Sequence, residues 1–145
     1  MSTPILLSGA IKRFIEGVLA ENVSQQPQVF EFVLPQKTHQ NMNAEDYPFV
    51  IVRVINGEDQ EDQHKVTVNL IFGTKSEQEA GFQDVLNLME RVRVAFRKRR
   101  TLDNQFRVEL PYKWTLFEDQ PYPEWIGQAI TTWTLPTISE EVEGI

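Results

Sequence analysis

The chain has no cysteine and only two histidines among its 145 residues. The first absence removes any disulfide framework and all thiol chemistry. The second leaves His39 and His64 as the sole imidazoles, with no HxxxH or HExxH spacing and no Asp-rich metal loop around them. Neither fits a ligand cluster, and the residues imply no metal and no other cofactor. Long apolar runs are missing too: stretches such as 49–52 and 68–72 fall far short of the ~20 residues that cross a bilayer. The opening MSTPILLSGAIKRF sets no basic residues ahead of its apolar run, so no secretory leader is expected and no membrane partner is implied. GxGxxG, GxxxxGKS/T and GxSxG are all absent, which leaves nucleotide binding without a cradle and acyl chemistry without a nucleophile elbow.

What is present is an ordinary globular inventory, with 41% hydrophobic and 10% aromatic residues. A chain of this length buries roughly 70% of its unfolded surface on folding, enough for one core without a staple. Residues 1–138 are expected to form a single domain, followed by an acidic tail at 139–145. The net charge of −7 is unevenly spread. Residues 1–56 carry 4 basic and 5 acidic side chains, 57–90 carry 2 and 8, 91–100 carry 6 and 0, and 101–145 carry 2 and 8. A net-acidic protein with one basic decapeptide is a poor general binder of nucleic acid.

The hydrophobic pattern predicts an α+β fold, with two helices packed on one face of a mostly antiparallel sheet. Ser2-Thr3-Pro4 is a helix start, and Leu7, Ile11, Phe14, Ile15 and Val18 make an amphipathic stripe ending near Asn22. Val29 to Leu34 reads as a strand closed by Pro35, and residues 36–47 as a long polar loop without periodicity. Phe49 to Ile55 reads as a central strand with a turn at Asn56-Gly57, which an acidic loop at 58–63 continues. Lys65 to Phe72 alternates strictly and completes an antiparallel hairpin. Ser76 and Glu79 have capping-box spacing ahead of a second helix whose stripe is Phe82, Val85, Leu86, Met89, Val92 and Phe96. Strands at 106–110, 112–117 and 125–135 finish the domain, with Ala129, Thr131, Trp133 and Leu135 on one face.

Candidate functional residues are few. The acidic run at 58–62 lacks the glycine and spaced oxygens of a calcium loop and reads as a solvated hairpin tip. Glu118, Asp119 and Glu124 beside Pro121 and Pro123 read as surface carboxylates. Arg97, Lys98, Arg99 and Arg100 close the second helix, where cations complement the helix dipole for ~0.3 to 1 kcal/mol each. The same residues could meet an acidic partner, including another copy of this acidic chain. The expected intersubunit contact sets Arg97, Lys98, Arg99 and Arg100 against Glu58, Asp59, Glu61 and Asp62 of a neighbour, with Glu118, Asp119 and Glu124 as the other acceptor group. No residue is a candidate for catalysis, and the chain is not expected to be an enzyme.

Four stretches together resemble the small tail terminator and tail-completion proteins of long-tailed bacteriophages and prophages. They are Tyr47-Pro48-Phe49-Val50-Ile51-Val52, Ile71-Phe72-Gly73-Thr74, the Gly81-x-x-Asp84-x-x-Asn87-x-x-Glu90-Arg91-Val92-Arg93 helix, and Tyr122-Pro123-x-Trp125-x-Gly127 through Leu135-Pro136. The resemblance spans roughly residues 47 to 138. It implies a subunit of a hexameric ring, made in the bacterial host cytoplasm, that sits on the head-proximal end of the virion tail. There it stops growth of the tail tube and offers a joining surface for the head and neck. Its partners would be other copies of itself, the tail tube protein and a head or neck connector protein, with DNA only passing through the channel. A head-completion, neck, minor tail or baseplate component is the alternative within phage assembly. Outside it, the alternative is a small nucleic-acid-binding regulator using residues 91–100.

Overall fold

The computed structural model describes residues 2–20, 26–138 and 140. Helix α1 (Pro4–Leu19) starts where the sequence places it: the Leu6 amide donates to Thr3 Oγ1 at 3.2 Å, and Pro4 opens the first turn. Leu7, Ile11, Ile15 and Leu19 recur every four residues and are fully buried. The expected helix end near Asn22 lies outside the described residues, as does all of the 139–145 tail except Glu140.

Six strands follow: β1 (Gln28–Glu31), β2 (Phe49–Asp59), β3 (His64–Lys75), β4 (Thr101–Leu102), β5 (Phe106–Leu116) and β6 (Glu124–Leu135). They form one sheet in the order β1-β2-β3-β6-β5-β4, in which only the β1–β2 pair is parallel. Helix α2 (Phe82–Lys98) enters between β3 and β4, and the two helices cover one sheet face. The alternation works as expected there. Val66, Val68, Leu70 and Phe72 of β3 and Ala129, Thr131, Trp133 and Leu135 of β6 all point into the core and are buried. Thr131 is tolerated because its hydroxyl donates to Val68 O at 2.7 Å and accepts from Trp133 Nε1 at 2.8 Å, so no polar atom of the pair is orphaned.

The structure corrects the sequence in four places. β1 ends at Glu31 rather than Leu34, because Phe32 takes a left-handed φ of 69° and turns the chain out of the sheet. The Arg53 guanidinium caps that bend, lying 5.2 Å from the Phe32 ring while its Nε donates to Phe32 O at 2.8 Å. Asn56-Gly57 is not a turn: a bulge between Val54 and Asn56 absorbs the extra residue, β2 runs on to Asp59, and the reversal falls at Gln60–Gln63. Gly57 instead makes room for the His64 ring across the ladder. Ser76 and Glu79 form no capping box. Trp125 Nε1 donates to Ser76 O at 3.0 Å and its indole lies over Gly81, which holds 76–81 in a turn until α2 begins at Phe82. The buried stripe of α2 therefore uses Leu88, while Phe82 is exposed and Leu86 only half-buried. Finally, 106–110 and 112–117 are one strand, interrupted by an irregularity between Glu109 and Lys113 where Pro111 sits.

On the face away from the helices, Phe49 and Ile51 are also buried. The Phe49 ring crosses Gly73, its cross-strand partner, and is backed by the Tyr47 ring at 4.9 Å. A Cβ on Gly73 would lie 2.3 to 2.9 Å from three atoms of that ring. Gly73→Ala is therefore expected to displace a ring that has no free space, at a cost of about 1 to 3 kcal/mol. Urea unfolding measures this, and an unchanged midpoint would show that the Phe49 ring is not confined.

Candidate functional site

Register fixes the two ends of the molecule. Along β6, Glu124 faces Lys75 at one end and Leu135 faces His64 at the other. Helix α2 runs the same way, with Gly81 against Trp125, Met89 where a Gly127 side chain would be, and the Phe96 ring edge-on to Trp133 at 5.4 Å. Helix α1 returns antiparallel: Phe14 meets Phe96 at 5.1 Å, and Arg13 reaches Asp103 in the β4–β5 turn at 3.2 Å. One end therefore gathers the tip of the β2–β3 hairpin, the basic C-terminus of α2, the β4–β5 turn and the start of α1. The other gathers the segment before β2, the start of α2 and the loop before β6.

At the first end the basic residues divide into two kinds. Arg100 is committed within the subunit, its Nε donating to Val108 O at 3.1 Å and its Nη2 to Glu109 at 3.4 Å. Arg99 lies 5.9 Å from the Phe14 ring. Arg97 and Lys98 are exposed, with no hydrogen bond or ion pair among the described residues. Upstream, Arg91 donates to Val18 O, and Arg93 pairs with Glu90, a hydrogen bond that holds the Glu90 carboxyl below its usual range. Of the acidic residues, Glu58 accepts from Gln60 at 3.1 Å and Asp59 lies 3.9 Å from His64 Nδ1. Glu61 and Asp62 stand at the tip without a partner among the described residues. Both expected charge groups thus lie at one end, yet no ion pair joins them. Glu118, Asp119 and Glu124 lie at the other end.

That other end holds a cleft of about 480 Å³, lined by Tyr47, Pro48, Thr74, Asp84, Asn87 and Arg91 among others. Asp84, Asn87 and Arg91 come from one face of α2 and Thr74 from the end of β3. The lining draws on segments from Pro27 to Arg91, and Trp125 pairs across the ladder with Thr74 beside it. Burial, a hydrogen bond to Glu124, and the carboxylates of Glu45 and Asp46 push the Tyr47 hydroxyl well above the usual tyrosine range. Lys75 pairs with Glu45 at 3.6 Å, which matches two of the cleft's charges within the subunit. His39 is exposed in the 36–47 loop, which is tied by Lys37 to Asp46 at 3.1 Å and by Asn41 Oδ1 accepting from the Thr38 amide at 2.6 Å. Among the described residues no three His, Asp or Glu side chains gather as a ligand set.

Sequence reasoning missed the edge of β5. Strand β4 pairs only with Arg107 and Phe106, and Val108 N–H is taken by Arg100 O, so the strand from Glu109 to Leu116 has no outer neighbour among the described residues. Leu110 and Trp114 are 46% and 53% exposed along it. Proline and lysine at 111 and 113, both characteristic of edge strands, were the available signal. Beside Trp114, Tyr112 packs between Leu86, Met89 and Arg93, with its hydroxyl buried and without a hydrogen-bond partner.

Burial pushes the Tyr112 hydroxyl far above its ordinary 10.0. The folded state therefore keeps this proton when the unfolded chain has lost it. Stability is full below pH 10 and falls as pH rises beyond it, by up to about 1.4 kcal/mol per pH unit for this one group. Tyr112→Phe should remove that share of the alkaline slope and, since no hydrogen bond is lost, leave neutral-pH stability the same or higher. Chemical denaturation at pH 7 and across pH 10 to 11.5 tests it. Equal slopes in the two proteins would show that the hydroxyl ionises freely in the fold.

No family model and no curated protein matches the sequence. Among solved structures, the chain is similar to one in a structure described as the virion of a native gene transfer agent particle, with a TM-score of 0.46 and 11% identity over 94% of this chain and 100% of that one. A likeness at that level assigns no role.

Proposed function

We propose that this chain is a structural subunit of a bacteriophage or prophage virion, and specifically the tail terminator. As a ring it caps the head-proximal end of the tail tube, stops its elongation and presents the joining surface for the head and neck. It works by contact alone, with no cofactor and no catalysis. The observation that carries the reading is the convergence on one cleft-bearing end of residues from all four stretches that resemble tail terminators. Tyr47, Thr74, Asp84 and Asn87 line the cleft together, and Trp125 at the same end pairs across the ladder with Thr74. A second feature supports ring formation: exposed cations and exposed anions on one chain, left unpaired inside it, suit an interface that joins two different surfaces of the same protein.

A nucleic-acid regulator gains little support from the basic decapeptide. Arg91, Arg93 and Arg100 are engaged within the subunit, and Arg99 lies against Phe14. Two wholly free cations would release too few counterions for useful affinity at physiological salt.

Electron microscopy of tails assembled with and without the protein is expected to show a ring at the head-proximal end with it and overlong, unjoined tails without it. Mass in solution should be that of a hexamer, or of a monomer that assembles on tail tubes. Assembly should be salt-sensitive, because exposed ion pairs are worth only ~0 to 1 kcal/mol each and are screened near 0.15 M, where the Debye length is about 8 Å. Tails of normal length and full joining in its absence would exclude the terminator role. Retardation of duplex DNA by a monomer at 0.15 M salt would favour the regulator.

A further inference from the structure

The cleft beside the start of α2 holds polar groups that the subunit leaves unused. Thr74, two residues past Phe72 on the helix-facing side of β3, is a buried part of its lining. It is 6% exposed, and its hydroxyl has no hydrogen-bond partner among the described residues. A buried hydroxyl in that state costs free energy until a donor or acceptor reaches it. Asp84 and Asn87 stand three residues apart on α2 and so lie side by side on the wall of the cleft. Neither makes a hydrogen bond or ion pair among the described residues. Pro27, Pro48, Leu88 and the Tyr47 ring give the lining its apolar surface, and the space of about 480 Å³ falls within the range of ligand pockets.

The charges in and beside the cleft select the sign of what enters. The carboxylates are Glu45, Asp46, Asp84 and Glu124. Lys75 takes Glu45 at 3.6 Å and Lys37 takes Asp46 at 3.1 Å. Glu124 accepts from the Tyr47 hydroxyl, and with Glu45 and Asp46 it adds negative potential there. Arg91, one helical turn beyond Asn87, donates to Val18 O. Asp84 is left without a cation, and Glu124 has a hydroxyl donor but no ion pair among the described residues. A metal ion does not fit this site, because no three His, Asp or Glu side chains gather among the described residues. A group with an apolar stem and a cationic head matches both the apolar walls and the unpaired carboxylate. A guanidinium matches them best: it carries five donors in one plane and packs on aromatic faces.

We infer that the cleft receives an arginine side chain from a partner protein, its guanidinium bound by Asp84, Asn87 and Thr74 and its stem laid against Pro48 and the Tyr47 ring. The inference names what the cleft-bearing end recognises, and it stands or falls independently of the tail-terminator reading. The donors of the guanidinium supply at once a counter-charge for Asp84, a partner for the Asn87 side-chain carbonyl and a partner for the Thr74 hydroxyl.

The test is titration of the isotope-labelled full chain with a capped glycine pentapeptide carrying one central arginine, followed by amide chemical shifts. Saturable shifts are expected at Thr74, Asp84 and Asn87 and not at the acidic tip, Glu61 and Asp62. Citrulline in place of the arginine keeps the shape without the charge and should bind about tenfold more weakly. Asp84→Asn should weaken the arginine peptide by about fivefold. Thr74→Val should weaken it by about threefold while leaving the urea midpoint the same or higher, since no hydrogen bond within the subunit is lost. Shifts centred on Glu58 to Asp62, or unchanged affinity in a folded Asp84→Asn variant, would overturn the site. Equal binding of the lysine peptide or of a glutamate peptide would overturn the assignment to arginine. None of these readouts involves tails, so the terminator role can fail without them and they can fail without it.

Discussion

The fold is organised around the indole of Trp133. Its Nε1–H is deep in the core and must find an acceptor, which Thr131 supplies while passing its own proton to Val68 O. That chain of two hydrogen bonds locks β6 to β3 at the centre of the sheet and fixes the orientation of the ring. Phe96 then packs edge-on against it, Phe14 packs on Phe96, and Arg99 lies over Phe14. One row of contacts thus runs from the sheet through α2 and α1 to the cation at the end of α2. The placement of the basic surface is a consequence of core packing. Replacing Thr131 with valine would keep the volume but orphan the indole N–H, a loss of about 1 to 3 kcal/mol.

A second tryptophan sets the other end. Trp125 is held by Ser76 O and by contact with Gly81, and Tyr122 meets it at 6.3 Å. The two indoles lie eight residues apart on β6 and brace the two ends of α2, a helix of about 25 Å. The cleft-bearing end and the charged end are therefore held at a set distance by a strand and a helix packed along each other.

Much of this was legible in local pattern. The stripe Leu7, Ile11, Phe14, Ile15 and Val18 and the alternation from Val66 to Phe72 depend only on each segment burying one face, and both face the core, Phe14 and Val18 at its margin. What failed depended on partners distant in sequence. β1 ends at Glu31 because the chain bends at Phe32, and Arg53, 21 residues away, captures that bend. Asn56-Gly57 stays within the strand, past a bulge, because β3 is long enough to pair with it. Helix α2 starts late because Trp125 holds the turn before it. The charge groups were visible as runs, but the commitment of Arg100 to Val108 O and Glu109 could not be read from a run of like charges. The bare edge of β5 was hidden for the same reason: which strand lies outermost follows from the order β1-β2-β3-β6-β5-β4, a property of the whole sheet.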